Sequence, residues 1–239
     1  MDLIAPLLTD PAAPRLTTYT SEGRMELSGA TLANWQAKVA NLLTSIGVLA
    51  GDAVAVAAAP GWQPAVIAIG AWRLGVSVVD FPPAPGTAPL PKVLFTDSIE
   101  LAEEYEDSDV GAHLEEIYVL STDPFGRGIE ESGRELPFGL NDFSPELRVQ
   151  PDAFMGRAVA EMNDGDAAIV ANFAKELALA PNERILTGAW STSAGLKRCL
   201  SPLAVGGSVV VSTDTSAQRL EHLAEAEKSD RTLVFSADD

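Results

Sequence analysis

Residues 53–79 carry the pattern that most constrains what this chain can fold into. A short apolar run (53–59) meets a Pro60-Gly61 turn; an apolar stretch of helical length then runs to Gly75, and a second apolar run occupies 76–79. Pro64 stands where a helix starts, a position at which its missing N–H costs nothing. Strands that are apolar on both sides need cover on both faces, and parallel neighbours need a crossover between them. The segment is therefore read as a β-α-β unit in a covered parallel sheet.

The alternation continues on either side. Residues 17–19 and 25–27 flank Ser21-Glu22-Gly23-Arg24 as a small hairpin. Ser28 is a suitable N-cap for a helix whose Leu32, Trp35, Val39, Leu42, Leu43 and Ile46 share one face and which Gly47 ends. Residues 81–91 hold five prolines and form a stiff connection; 92–96 and 117–121 read as strands around an acidic helix. Beyond a stretch rich in Gly and Pro, helices are expected over 164–179, 194–203 and 216–228, and strands over 184–187, 208–212 and 232–235. The expected class is α/β, with parallel or mixed sheets flanked by helices. Chain order suggests a first lobe over 1–121, a turn-rich connection over 122–160 and a second lobe over 161–239, or one compact domain containing all three.

Charge and composition narrow the function classes. Thirty-four acidic residues against sixteen basic ones leave a net charge of −18, which repels a phosphate backbone, so no nucleic-acid partner is expected. A single cysteine excludes a disulfide framework and any multi-cysteine zinc site. The N-terminus lacks a basic region and is broken by Pro6, and the apolar stretch 54–75 is interrupted before the ~20 residues that a bilayer span needs. Neither a leader nor a membrane partner is expected, and a cytoplasmic location is.

Several segments resemble the adenylate-forming (AMP-binding, acyl-CoA synthetase) superfamily, in the order found in its N-terminal lobe. They are Leu27-Ser28, the helix with Trp35, Val39 and Asn41-Leu42-Leu43, the run from Gly47 to Val56, and 65–79 with Ala71-Trp72-Arg73-Leu74-Gly75. Further on, Leu179-Ala180-Pro181-Asn182-Glu183-Arg184-Ile185-Leu186 is similar to the superfamily's l-x-p-x-D-R-v-L segment. Pro202-Leu203-Ala204-Val205-Gly206-Gly207-Ser208-Val209-Val210 is similar to its p-L-x-x-G-g-x-v-v segment. The chain also resembles short stand-alone actinobacterial proteins of this kind.

The departures from that pattern shape the functional expectation. The superfamily's T-S-G-T-T-G-x-P-K phosphate loop would fall on Asp152-Ala153-Phe154-Met155-Gly156-Arg157-Ala158-Val159, which cannot supply the same cradle of N–H donors. The Y-G-x-T-E segment, the ribose-binding aspartate and the lid lysine would lie beyond Asp239. Losing two such clamps, at ~3 kcal/mol each, would lower a rate by ~10⁴. No catalytic residue and no metal ligand is therefore assigned. The expected function is a degenerate, non-catalytic binding or interaction module, acting as a homodimer or with a partner protein. The alternatives are a minimal or split synthetase that binds ATP, AMP or CoA, and an unrelated α/β protein with a small ligand.

The candidate ligand-binding residues are Trp190, Ser191, Thr192 and Ser193, between an expected strand and an expected helix with Lys197 and Arg198. The resemblance places an aromatic-His segment of the acyl pocket here, with Thr192 about where the histidine stands. Helix capping by Ser191 or Ser193 is the simpler reading of the same residues. Trp62, Trp72 and Trp190 are expected in the core, His113 and His222 on the surface, and Cys199 as a small buried hydrophobe. The acidic residues of 100–109 and 115–116 are expected to form a solvated face.

Overall fold

The computed structural model describes residues 2–106, 108, 111–154, 156 and 165–235. The chain divides into two compact units. One comprises Met1–Asn34, Pro60–Ala65 and Ala160–Asp239, the other Trp35–Ala59 and Val66–Val159. Each has its own five-stranded sheet, in keeping with the α/β class expected. No helix among the described residues is long and apolar enough to cross a membrane.

The first unit begins with the hairpin of β1 (Pro14–Thr20) and β2 (Gly23–Ser28), closed by Ser21-Glu22. Its other strands are β8 (Arg184–Gly188), β9 (Ser208–Ser212) and β10 (Arg231–Leu233), in the order β10-β8-β9-β1-β2. All pairings but β1–β2 are parallel. β9 is buried along its whole length, as the Val209-Val210-Val211 run of a central strand should be. Helix α7 (Ala217–Ala226) lays Leu220 and Leu223 on Leu186 and Val210 of the sheet. Ser28 caps α1 (Gly29–Ser45) as expected, its hydroxyl accepting the Thr31 N–H at 3.2 Å.

A polar network covers the β1, β8 and β2 side chains beside α7. Glu227 accepts hydrogen bonds from Tyr19, Arg24 and Arg184, and Arg184 also donates to Thr17 and Ser208. Arg24 and Arg219 lie over the Tyr19 ring at 5.7 and 5.1 Å. Burial opposes the charge on Glu227, but hydrogen bonds from Arg24, Tyr19 and Arg184 outweigh it and hold the carboxyl down at about 2.

The second unit is all parallel, in the order β4-β3-β5-β6-β7. Its strands are β3 (Ala53–Ala57), β4 (Ser77–Val79), β5 (Pro91–Thr96), β6 (Glu116–Val119) and β7 (Asn141–Asp142). The β-α-β reading of 53–79 corresponds to β3, α2 (Trp62–Leu74) and β4. Ala55, Leu94, Ile117 and Val119 pack with Ala102 of α3 (Ile99–Glu106) and with Ile129 and Leu140. A separate aromatic group joins Phe95, Tyr118 and Phe143, the last on α4 (Phe143–Arg148). Gly47 and Gly75 close α1 and α2 with positive φ, and the following N–H groups of Val48 and Val76 reach back to Leu43 and Ala71.

Two expectations about organisation need correction. The contiguous lobes 1–121 and 161–239 do not describe the sheets, because β1 pairs in parallel with β9 across most of the chain length. The connection expected over 122–160 instead contributes β7 and α4 to the second unit in its described part. A two-residue strand leaves no periodic signal, and the scattered Gly and Pro of 124–145 mask it further.

Two predictions follow from packing and charge. A Cβ on Gly70 would lie 2.6 Å from Val39 Cβ and 2.7 Å from the Gln36 carbonyl, so Gly70→Ala should cost about 1–3 kcal/mol in urea unfolding. Glu227 has a depressed folded pKa, so its contribution is fully present above the ordinary 4.5 and is lost as pH falls toward about 2. Urea unfolding across that window should show a pH slope in the native protein that Glu227→Gln reduces.

Candidate functional site

The chain leaves the C-terminal end of β8 through Ala189-Trp190-Ser191-Thr192 and enters α6 (Ser193–Cys199). Thr192 is extended and caps α6, its Oγ1 accepting the Gly195 N–H at 3.0 Å. The cap is thus Thr192 rather than Ser191 or Ser193, because only the residue just before the first helical turn has both the extended backbone and the reach. Trp190 is 8% exposed. Its Cβ would sit 3.3 Å from a Cβ on Gly195, so the tryptophan lies close over the first turn of α6.

A cavity of about 220 Å³ opens at this turn. Trp190, Ser191 and Thr192 line it together with Thr215, which follows β9, and Val234 and Phe235, which follow β10. Cys199 lines it too. The structure thus brings Trp190, Ser191 and Thr192 of the expected set to one cavity, while Ser193 begins the helix and is not among its lining residues. Thr215, Val234 and Phe235 escaped sequence reasoning. They lie 23–45 residues away and meet the β8 turn only because parallel strands align their C-terminal ends.

The charges near the turn are already engaged. Lys197 Nζ lies 3.1 Å from Asp166 Oδ1, both side chains being mostly buried. Arg198 stacks over Phe173 at 4.8 Å and over Phe235 at 5.4 Å. Cys199 donates weakly to the Gly188 carbonyl at 3.5 Å, and burial pushes its thiol up to about 11. At neutral pH it remains a thiol and not a nucleophile. The site therefore offers an indole, an aromatic ring, aliphatic carbon and hydroxyls. It can enclose an apolar group and hydrogen-bond a neutral polar one.

Elsewhere the structure places the remaining residues singled out by sequence. Trp62 and Trp72 are buried, and His113 and His222 are exposed. Glu103, Glu104 and Glu106 project from α3 into solvent, while Asp107 and Asp109 lie outside the described residues. Of residues 152–159, only 152–154 and 156 are described. Asp152 pairs with Lys38 at 2.9 Å, and Asn41 donates to the Pro151 and Ala153 carbonyls. Lys38 also donates to the carbonyls of Arg148 and Gln150. Phe154 sits beneath Arg73 at 5.6 Å.

Capping gives a direct test of the local geometry. Thr192→Ala should lower stability by ~1 kcal/mol in denaturant unfolding, whereas Ser191→Ala, at an exposed position, should change it by less than ~0.5 kcal/mol.

Comparison with known proteins gives the family and the fold. No protein-family profile matches the chain. A "TIGR03089 family protein" from Mycobacterium tuberculosis is 34% identical over 250 residues, covering 97% of this chain and 96% of that protein. Among solved structures, an acyl-CoA synthetase from Brucella canis aligns over 98% of this chain with a TM-score of 0.72 and 16% identity. Acetoacetyl-CoA synthetase from Streptomyces lividans gives 0.72 at 17% identity over 98% of the chain. A Mycobacterium tuberculosis fatty acyl CoA synthetase gives 0.70 at 13% identity over 96%. The chain spans 47%, 41% and 47% of these three structures, so about half their length or less. The chain belongs to the TIGR03089 family, on the fold of the N-terminal lobe of acyl-CoA synthetases.

Proposed function

We propose that this chain is a binding module built on the acyl-CoA synthetase N-terminal lobe. It holds a small, mainly apolar group, such as the acyl part of a thioester, in the cavity after β8, and it is not a ligase by itself. The observation that carries this reading is the composition of that cavity. Trp190, Val234, Phe235 and Cys199 supply apolar walls and Ser191, Thr192 and Thr215 supply neutral polar groups. The nearby cations Lys197 and Arg198 are taken by Asp166 and by two aromatic rings. Such a site favours a neutral group over a polyphosphate. The names of the solved neighbours, acyl-CoA and acetoacetyl-CoA synthetases, agree with an acyl ligand.

The non-catalytic half of the reading rests on residues 152–159, where one glycine and one arginine stand in place of the superfamily's glycine- and hydroxyl-rich phosphate loop. A second reading, in which the chain is one part of a split synthetase and a partner chain supplies the lid lysine, draws on its span of about half the solved synthetases. A second copy or a partner protein belongs to either reading.

Three measurements test these readings. ATP–pyrophosphate exchange by the purified chain should be absent with any carboxylic acid, and measurable exchange would refute the non-catalytic reading. Neutral acyl thioesters of N-acetylcysteamine should change Trp fluorescence saturably, with a response that Phe235→Ala weakens at least ~tenfold. No saturation with any acyl length would sink the cavity assignment. Binding of ATP, AMP or CoA in calorimetry, with or without magnesium, would favour the split enzyme.

A further inference from the structure

The first sheet has a second cavity, at the opposite end of its strands. It measures about 540 Å³ and opens where β1, β8 and β9 begin, at Arg15, Arg184 and Ser208. None of its lining residues belongs to the cavity after β8.

Arg15 is 6% exposed and lines this cavity. Its guanidinium donates only to main-chain carbonyls, to Gly206 at 2.5 Å and to Leu7 and Asp10 at 3.4 Å. Its Nε has no hydrogen-bond partner. Among the described residues no carboxylate lies within salt-bridge distance of it. Neutral carbonyls return only part of the hydration that a buried guanidinium gives up, so an anion beside it is favoured.

The other charges of the cavity sharpen this. Glu26 and Glu227 line it but are already bound by Arg24 and Arg184. What remains is Arg15 and Lys228 against Asp10 at the exposed rim. Lys228 follows α7 with φ +53, and Asn182, which also lines the cavity, has φ +62. Asparagine tolerates the left-handed region, but lysine adopts it at a cost, in a position after a helix where glycine is the ordinary residue.

We propose that this cavity binds an oxyanion, the phosphate or carboxylate group of a small molecule, with Arg15 and Lys228 as its cationic partners. Ser208 and Asn182 supply neutral polar groups at the same mouth. The chain's charge of −18 repels anions in general, so binding here rests on local pairing and not on a basic surface.

The test is an NMR titration of the full chain with sodium phosphate and, separately, sodium acetate at constant ionic strength. The amides of Arg15, Asn182 and Lys228 should shift together and saturate with a dissociation constant of about 1–10 mM. Lys228→Glu, at an exposed position, should weaken that binding at least ~tenfold, and Arg15→Gln should abolish it. If Arg15→Gln fails to fold, Lys228→Glu decides alone. Tighter binding of phosphate identifies a phosphorylated ligand, and tighter binding of acetate a carboxylate. No saturation with either anion up to ~50 mM, or unchanged affinity in Lys228→Glu, overturns the proposal.

Discussion

The parallel pairing of β1 with β9 is the constraint on which the first unit depends. Leu16 to Tyr19 lie beside Val209 to Ser212, joining the start of the chain to a strand almost two hundred residues later. Closing so long a loop costs entropy that grows only slowly with length, whereas burying the Val209-Val210-Val211 strand on both faces returns hydrophobic free energy at each residue. Once β1 is in place its antiparallel partner β2 becomes the edge, and the side chains of Thr17, Tyr19, Arg24 and Glu26 meet Arg184 and Glu227. The polar network and the cavity lined by Arg15, Glu26, Arg184 and Glu227 follow from that pairing.

Local chemistry was largely legible in the sequence. The hairpin (though with a four-residue loop where the structure has Ser21-Glu22), the Ser28 cap, the glycines that close α1 and α2 and the β-α-β unit rest on residues within a few positions of one another. Their signals are steric and periodic, and no distant contact has to be known to read them. The pairing order of the strands was not legible, since apolar runs such as 208–212 announce burial and not a neighbour. β7 and α4 were missed for a different reason. Asp142 both ends the short strand and accepts the Ile129 and Ser144 N–H groups, so a single side chain organises a stretch that otherwise reads as a loop.

The candidate site was half legible. Trp190, Ser191 and Thr192 stood out because a strand ends before them and a helix begins after them. Resemblance to the superfamily added only the expectation of an acyl pocket at this turn. The fate of the nearby cations was invisible, because Asp166 and Phe173 reach Lys197 and Arg198 from α5 (Asp166–Glu176), about 25–31 residues upstream. That difference changes the chemistry. Read from sequence, Lys197 and Arg198 favour an anion at the turn; paired as they are, they hold α5, α6 and Phe235 around an apolar space.

Parallel strands give the two ends of this sheet different resources. At the C-terminal ends the chain emerges from β8, β9 and β10 in one direction, so three loops distant in sequence converge and their short side chains enclose a cavity. Arg15, Arg184 and Ser208 lie at the N-terminal ends of their strands, where side chains can reach the edge of the layer and exchange hydrogen bonds with carbonyls and carboxylates. Glu227 satisfies Arg184 and Arg24, and nothing of that kind satisfies Arg15. A charge so nearly buried and so incompletely matched is stable only because three carbonyls hold it, and the same bonds tie residues 7–10 and Gly206 to the start of β1. The guanidinium therefore acts in the fold through its hydrogen bonds, while its unpaired charge leaves this end of the sheet electrostatically incomplete.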